Sequence, residues 1–229
     1  ILLFTNIFRT IQKIHIIEEK RHQTELEIEK KENKKITLQM MQTLSTTIEA
    51  KDEYTRGHSK RVAQYATLIA KSLGWTKDEI QNIKSCAYLH DIGKIGIPDQ
   101  ILNKPGKLTQ EEFNLIKQHT IIGQDIVKDI TIIPHLDEVT RSHHEHYDGS
   151  GYPDGLKGNE IPIQARIIAI ADSYDTMNSR RIYRNALSFE QIKEQIKKKS
   201  GTQFDPEIAE IFLKLMDNKS LLNLELENT

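Results

Sequence analysis

Residues 141–155, RSHHEHYDGSGYPDG, set three histidines within four positions beside Glu145 and Asp148, then run into glycine, tyrosine and proline. Neutral imidazole is the commonest nitrogen ligand for metal ions. A metal site needs further donors, and the chain offers them in order: His58 in YTRGHSKR, His90 and Asp91 in LHDIGK, His119 in IKQHT, His143 and His144 in SHHEH, and Asp172 in AIADSYD. LHDIGK is the strongest of these signals. An apolar segment bearing Ala87, Tyr88 and Leu89 carries the His–Asp pair to the end of a buried element, with Gly93 and Lys94 following. Buried without a partner, such a pair would cost several kcal/mol, which a bound metal offsets. Adjacent residues on a helix are splayed by about 100°, so His90 with Asp91, and His143 with His144, could each serve neighbouring ions. Taken singly, His58 and His119 read as ordinary histidines before they read as ligands, and Asp172 has capping or salt-bridging as its alternative. His15, His22, His135 and His146 read as structural or solvent-facing.

Anionic substrate would have to be met by local charge. Lys94 lies one turn beyond His90, and Arg181 and Arg184 in SRRIYRN lie one turn apart, a spacing that suits a fork for phosphate oxygens. The bland alternatives are a surface lysine and a solvated helix end. Three glycines and a proline in residues 148–155 let backbone approach a ligand closely, with Tyr152 free to stack or donate a hydrogen bond. Glu145 and Asp148 are expected to orient histidines and the loop rather than to ligate. Trp75 reads as a packing residue.

Helices must position these groups. Residues 6–50 hold no proline or glycine, and their centre, EEKRHQTELEIEKKENKK, is charged and helix-favouring, which predicts one long helix. Ile7, Ile11 and Ile14, and later Leu38, Met41, Leu44 and Ile48, form apolar stripes separated by a centre too polar for an unbroken coiled-coil seam. A solvated linker and a signal-transmitting dimer helix both fit. Val62, Tyr65, Ala66, Ile69 and Ala70 form a stripe ended by Gly74; Thr76 and Thr109 are expected caps for the helices that follow. Further helices are predicted over residues 121–128, 136–146, 165–177, 189–199 and 206–216, with a loop at Pro98, Pro105 and Gly106. The expected fold class is all-α.

Lys+Arg 32 against Asp+Glu 33 leaves no global field to attract DNA, RNA or anionic lipid. The single cysteine, Cys86, excludes an internal disulfide and reads as core in a reducing compartment. No run approaches the roughly 20 apolar residues that span a bilayer. The chain opens ILLFTNIF without methionine, so upstream sequence is expected, and these eight residues read as the tail of a sensor domain or of a membrane helix. The expected location is cytoplasmic, with tethering to the inner membrane through that upstream part as a variant.

The blocks YTRGHSKRVAQYA, LHDIGKIGIPDQIL, KPGKLTQEEF, HHEHYDGSGYPDG, ARIIAIADSYD, RIYR and GTQFDP, in this order over residues 51–212, resemble the HD-GYP domain, the bacterial branch of the HD phosphohydrolases that hydrolyses cyclic di-GMP. The resemblance implies an HD-domain helical bundle over residues 49–220, preceded by a linker or signalling helix over 1–48 and followed by a tail over 221–229. It implies a binuclear centre, one ion held by His58, His90, Asp91 and Asp172, the other by His119, His143, His144 and the second oxygen of Asp91. Iron or manganese suits such donors better than a closed zinc site. A family subset holding three metals carries glutamate where this chain has Tyr54, with Glu53 beside it, so two ions are expected; Ile182 replaces the usual proline of the arginine block. Lys94, Tyr152, Arg181 and Arg184 match residues that contact substrate phosphates. The implied reaction is attack of metal-bound hydroxide on cyclic di-GMP, expelling the 3′ oxygen to give pGpG, with GMP as the product where hydrolysis proceeds further. Implied partners are an upstream sensor or receiver domain, a second copy through the N-terminal helix, and a diguanylate cyclase. The alternatives are an interaction module that binds metal and nucleotide with little turnover, and a phosphodiesterase for another cyclic dinucleotide such as cyclic GMP-AMP.

Overall fold

The computed structural model describes residues 2–52, 56–179, 186–218 and 220–221, with side chains from residue 12 onward. Among these residues the secondary structure is helical, with no strand beyond one isolated bridge between Ser200 and Phe204. The α-helices are α1 (Leu2–Glu49), α2 (His58–Ser72), α3 (Lys77–Leu89), α4 (Asp99–Leu102), α5 (Gln110–Val127), α6 (Leu136–Ser142), α7 (Ile163–Asn178), α8 (Phe189–Lys199) and α9 (Pro206–Asp217). The all-α fold is as the sequence predicts. No described helix is long and apolar enough to cross a membrane.

Two compact units divide the chain, Ile1–Met40 and Met41–Thr229. In the first, α1 is carried by local helix propensity and by pairs one turn apart such as Arg21–Glu25 at 3.2 Å, each worth only tenths of a kcal/mol. Its Ile14, Ile17, Leu26 and Ile28 are exposed.

The second unit has a conventional core. The stripe Val62, Tyr65, Ala66, Ile69 and Ala70 of α2 is buried, as are Ile83, Cys86, Ala87 and Leu89 of α3. Helix α7 buries Ala165, Ile167, Ile168, Ile170 and Ala171 on several sides, which makes it the central element. Tyr65 and Phe212 both meet Tyr174 edge-on, at 4.9 and 5.1 Å between centroids. Each large apolar side chain so buried contributes about 1.5–3 kcal/mol. Capping boxes at Thr76–Glu79, Thr109–Glu112 and Ser188–Gln191 fix the starts of α3, α5 and α8.

Three local expectations change. The helix starting at Gln110 and the one placed at 121–128 are a single α5; a Cβ on its Gly123 would lie 2.6 Å from Thr140 Cγ2, so the glycine admits α6. Helix α6 ends at Ser142, four residues short of the predicted end. The segment after LHD is an ordered 3-10 helix, Ile92–Gly96, followed by α4 rather than by loop alone.

Candidate metal centre

Each candidate ligand comes from the end of a helix or from one helical face. His58 is the first residue of α2, His90 and His143 are the C-cap residues of α3 and α6, His119 lies in the second half of α5, and Asp172 lies on α7. Gly93 makes the meeting possible. A Cβ on it would sit 1.8 Å from the His119 carbonyl oxygen and 2.5 Å from Gly123 N, so only glycine lets the 3-10 helix after Asp91 lie against α5.

The imidazoles are oriented from behind. His90 Nδ1 lies 2.7 Å from the Ala87 carbonyl, His119 Nδ1 2.6 Å from that of Ile116, and His143 Nδ1 2.8 Å from that of Thr140. A carbonyl can only accept, so each Nδ1 carries the proton and each Nε2 of the neutral ring presents a lone pair. His58 Nδ1 donates to Asp175 Oδ2 at 2.8 Å, and Arg61 grips the same carboxylate through Nε at 2.6 Å and Nη2 at 2.9 Å. Such backing of a histidine is the usual preparation of a metal ligand.

The freed Nε2 atoms converge on Asp91. Its Oδ1 lies 3.4 Å from His119 Nε2 and 3.7 Å from His143 Nε2; its Oδ2 lies 3.4 Å from His90 Nε2 and 3.8 Å from His58 Nε2. Two donor groups result, Asp91 with His119, His143 and His144, and Asp91 with His58 and His90, each with ligand atoms within 4.8 Å of one another. Asp172 Oδ1 sits 3.3 Å from His58 Nε2, at the edge of the second group. His143 and His144 stay together, with ring centroids 4.2 Å apart, because α6 has ended before them and the helical splay does not apply.

The donor set fits a cation. His90 Nε2 is buried and has no hydrogen-bond partner, and the two lone pairs of His119 and His143 face each other at 3.3 Å. Uncompensated lone pairs of this kind are costly in a dry interior. Burial pulls the pKa of His90 and of His119 down to about 4, keeping both neutral, and holds His144 well below its ordinary value. Burial also opposes charge on His58, but the Asp172 and Asp175 carboxylates beside it win and raise it to about 10. Although burial disfavours its charge, Asp91 stays ionised because Lys94 and the surrounding histidines hold its pKa well below the carboxylate range.

Lys94 Nζ contacts Asp91 Oδ2 at 2.8 Å and Asp52 Oδ2 at 3.2 Å, so it flanks the centre as a partly buried cation. Tyr152 stacks on His144 at 4.9 Å, with Phe113 edge-on behind it and Lys117 Nζ 5.2 Å above its ring. Glu145 orders the glycine loop by accepting from the N–H groups of Asp154, Gly155 and Leu156. Asp148 accepts from Ser150, which contacts His146; neither acid touches a histidine of the centre. Arg181, Arg184, Ile182, Glu53 and Tyr54 lie outside the described residues.

The HD domain family pattern matches residues 42–208. The chain belongs to the HD domain family. Its His90–Asp91 pair and its Gly151–Tyr152–Pro153 triplet place this HD domain in the HD-GYP branch. A cyclic di-GMP phosphodiesterase of Thermotoga maritima is 45% identical over 77% of this chain and 49% of that protein. A 3′3′-cGAMP-specific phosphodiesterase of Vibrio cholerae is 37% identical over 78% and 35%, and the cyclic di-GMP phosphodiesterase response regulator RpfG of Xanthomonas campestris is 40% identical over 75% and 46%. The chain thus matches half or less of each relative's length. The crystal structure of a cyclic GMP-AMP specific phosphodiesterase of V. cholerae shares the HD fold, with a TM-score of 0.62 at 19% identity over 81% of this chain and 50% of that one.

Reading of the HD centre from sequence missed its supports. Asp175 and Arg61 were legible in principle, since each follows a candidate ligand by three positions on the same helix. Asp52 and Glu49 carried no such signal, because contacts across the chain bring them in.

Proposed function

We propose that this HD-GYP domain is a metal-dependent phosphodiesterase for cyclic dinucleotides, with cyclic di-GMP as its substrate and pGpG, then GMP, as products. The reading rests on one observation above all, the convergence of four imidazole Nε2 atoms on the two oxygens of a single buried carboxylate. It is supported by the similarity to phosphodiesterases of this substrate class. Residues 49–220 form the catalytic domain in this reading, with 1–48 as a signalling helix and 221–229 as a tail.

His58, His90, Asp91 and Asp172 would hold one divalent cation, and Asp91, His119, His143 and His144 a second; iron or manganese suits these donors. Such a pair supplies an activated water and charge neutralisation for in-line displacement at phosphorus. The chain's own residues do the rest. Asp91 fixes the spacing of the two halves by serving both. Lys94, kept protonated by Asp91 and Asp52 against the penalty of burial, offers positive charge beside the reacting phosphate. Tyr152 walls the cleft at His144, and Arg181 and Arg184 are assigned to the phosphate oxygens. Upstream sensor or receiver sequence, a diguanylate cyclase and a second copy through α1 are the partners this reading expects.

The test is hydrolysis by purified protein loaded with Mn²⁺ or Fe²⁺, offered cyclic di-GMP, 3′3′-cGAMP and bis(p-nitrophenyl) phosphate. Turnover of cyclic di-GMP far above the generic diester is expected. Preference for 3′3′-cGAMP would transfer the reading to the substrate of the V. cholerae relatives, and nucleotide binding without turnover would make the domain an interaction module.

A further inference from the structure

Helix α2 begins at a ligand and has no cap of its own. Its first residue is His58, its N-cap is Gly57 in the left-handed region at φ 71°, no side chain of the cap bonds the first turn, and that turn contains no acid. The first backbone N–H groups of a helix need acceptors, and an anion is favoured there by the helix dipole. Both needs are met from outside the helix. Glu49, the last residue of α1, accepts from Gly57 N through Oε2 at 2.7 Å and from Ser59 N through Oε1 at 2.7 Å. The two bonds bracket His58.

The residues that follow Glu49 hold the segment after the His–Asp pair. Lys51 Nζ donates to the carbonyls of Ile95 at 2.7 Å and Ile97 at 2.5 Å in the turn after the His–Asp pair, and Asp52 pairs with Lys94. A small cavity, about 10 Å³, is lined by Glu49, His58, Asp91 and Lys94. The ring of His58 is set by Asp175, but a ring can be set only relative to its backbone, and Glu49 holds the backbone N–H groups on either side of it.

We infer that Glu49 is a positioning residue for the metal centre: a borrowed helix cap whose carboxylate fixes the His58 backbone and thereby the geometry of the His58–His90–Asp91 half. The inference rests on the metal reading above, and its test separates the two. Mn²⁺ is titrated calorimetrically into the full chain, Glu49→Ala, Glu49→Gln and Thr76→Ala; the last removes a capping box at the start of α3, the end remote from His90. Wild type is expected to bind two ions. Glu49→Ala is expected to weaken one of them by about tenfold or more, the usual effect of removing a group that orients a ligand. Glu49→Gln, which keeps an acceptor without the charge, should fall between and stands in if the alanine variant does not fold. Thr76→Ala should lower the melting temperature by a few degrees and leave both affinities unchanged. With cyclic di-GMP, Glu49→Ala should lose kcat while KM stays within about twofold. Wild-type affinity at both sites in the Glu49 variants overturns the inference, as does an equal loss in Thr76→Ala, which would mark the effect as general destabilisation. No binding by wild type would overturn the metal reading, and this inference with it.

Discussion

Asp91 presents one oxygen to His119 and His143 and the other to His58 and His90. Removing it should therefore empty both halves, and Asp91→Ala is expected to lose bound metal by elemental analysis and about a thousandfold or more in kcat. Lys94 makes the contrasting prediction. It touches Asp91 but offers no lone pair while protonated, so Lys94→Ala should keep its metal and lose about a hundredfold in kcat, the usual cost of one group that stabilises developing charge. Loss of metal in that variant would place Lys94 in the binding of the ions instead. Cys86, fully buried in α3, carries the pH argument: burial pushes its pKa up to about 12. At pH 8 the folded chain then holds on the order of one thiolate in 10⁴, so alkylation by iodoacetamide should follow unfolding and be negligible before it. The sign of the linkage follows. The fold favours the neutral thiol, so this contribution is complete below the unfolded pKa near 8.5 and is lost as pH rises from there towards about 12.

At the scale of elements, the tightest constraint is Gly93, where the 3-10 helix after Asp91 meets α5. Gly93→Ala would drive a Cβ into backbone on both sides, and backbone cannot yield as a side-chain tip can. About 3 kcal/mol or more of stability should be lost, read as a lower midpoint in urea, with metal affinity falling too because His119 is displaced. LHDIGK made this position visible in sequence as a glycine after the pair, though not the carbonyl it approaches. The α2 stripe and the caps at Thr76 and Thr109 were legible, since period and cap chemistry are local properties, and so was the order along the chain of the donor residues that the fold brings together. The continuity of α5 was not, since the stretch from QEEF to 121–128 carries no cap or breaker that marks where one helix would end, and Gly123 within it packs against Thr140. The expected orienting role of Glu145 and Asp148 divided for the same reason. Glu145 bonds the loop backbone and Asp148 bonds Ser150, choices set by which groups the fold brings near. The orientation of His90, His119 and His143 instead came from carbonyls, which every residue carries and no sequence pattern marks.

On the scale of the whole chain, every described residue of the centre lies in the compact unit Met41–Thr229, together with the last turns of α1. Two truncations therefore separate the roles of that helix. Deleting residues 1–40 keeps Met41 and Ile48, both buried, and Glu49 with its two bonds to the α2 turn. That variant should melt within a few degrees of the full chain, bind metal as tightly, and hydrolyse cyclic di-GMP with a kcat within about threefold. Deleting residues 1–49 removes two buried apolar side chains, Met41 and Ile48, worth about 2 kcal/mol each and the borrowed cap, so it should be less stable and load metal poorly. Sedimentation of the same three proteins tests the expected pairing of copies. The exposed Ile14, Ile17, Leu26 and Ile28 all lie in the segment both truncations remove, so a dimer seam there predicts a dimeric full chain and monomeric variants. Unchanged metal affinity without residues 1–49 would show instead that the end of α1 is a linker and no part of the site.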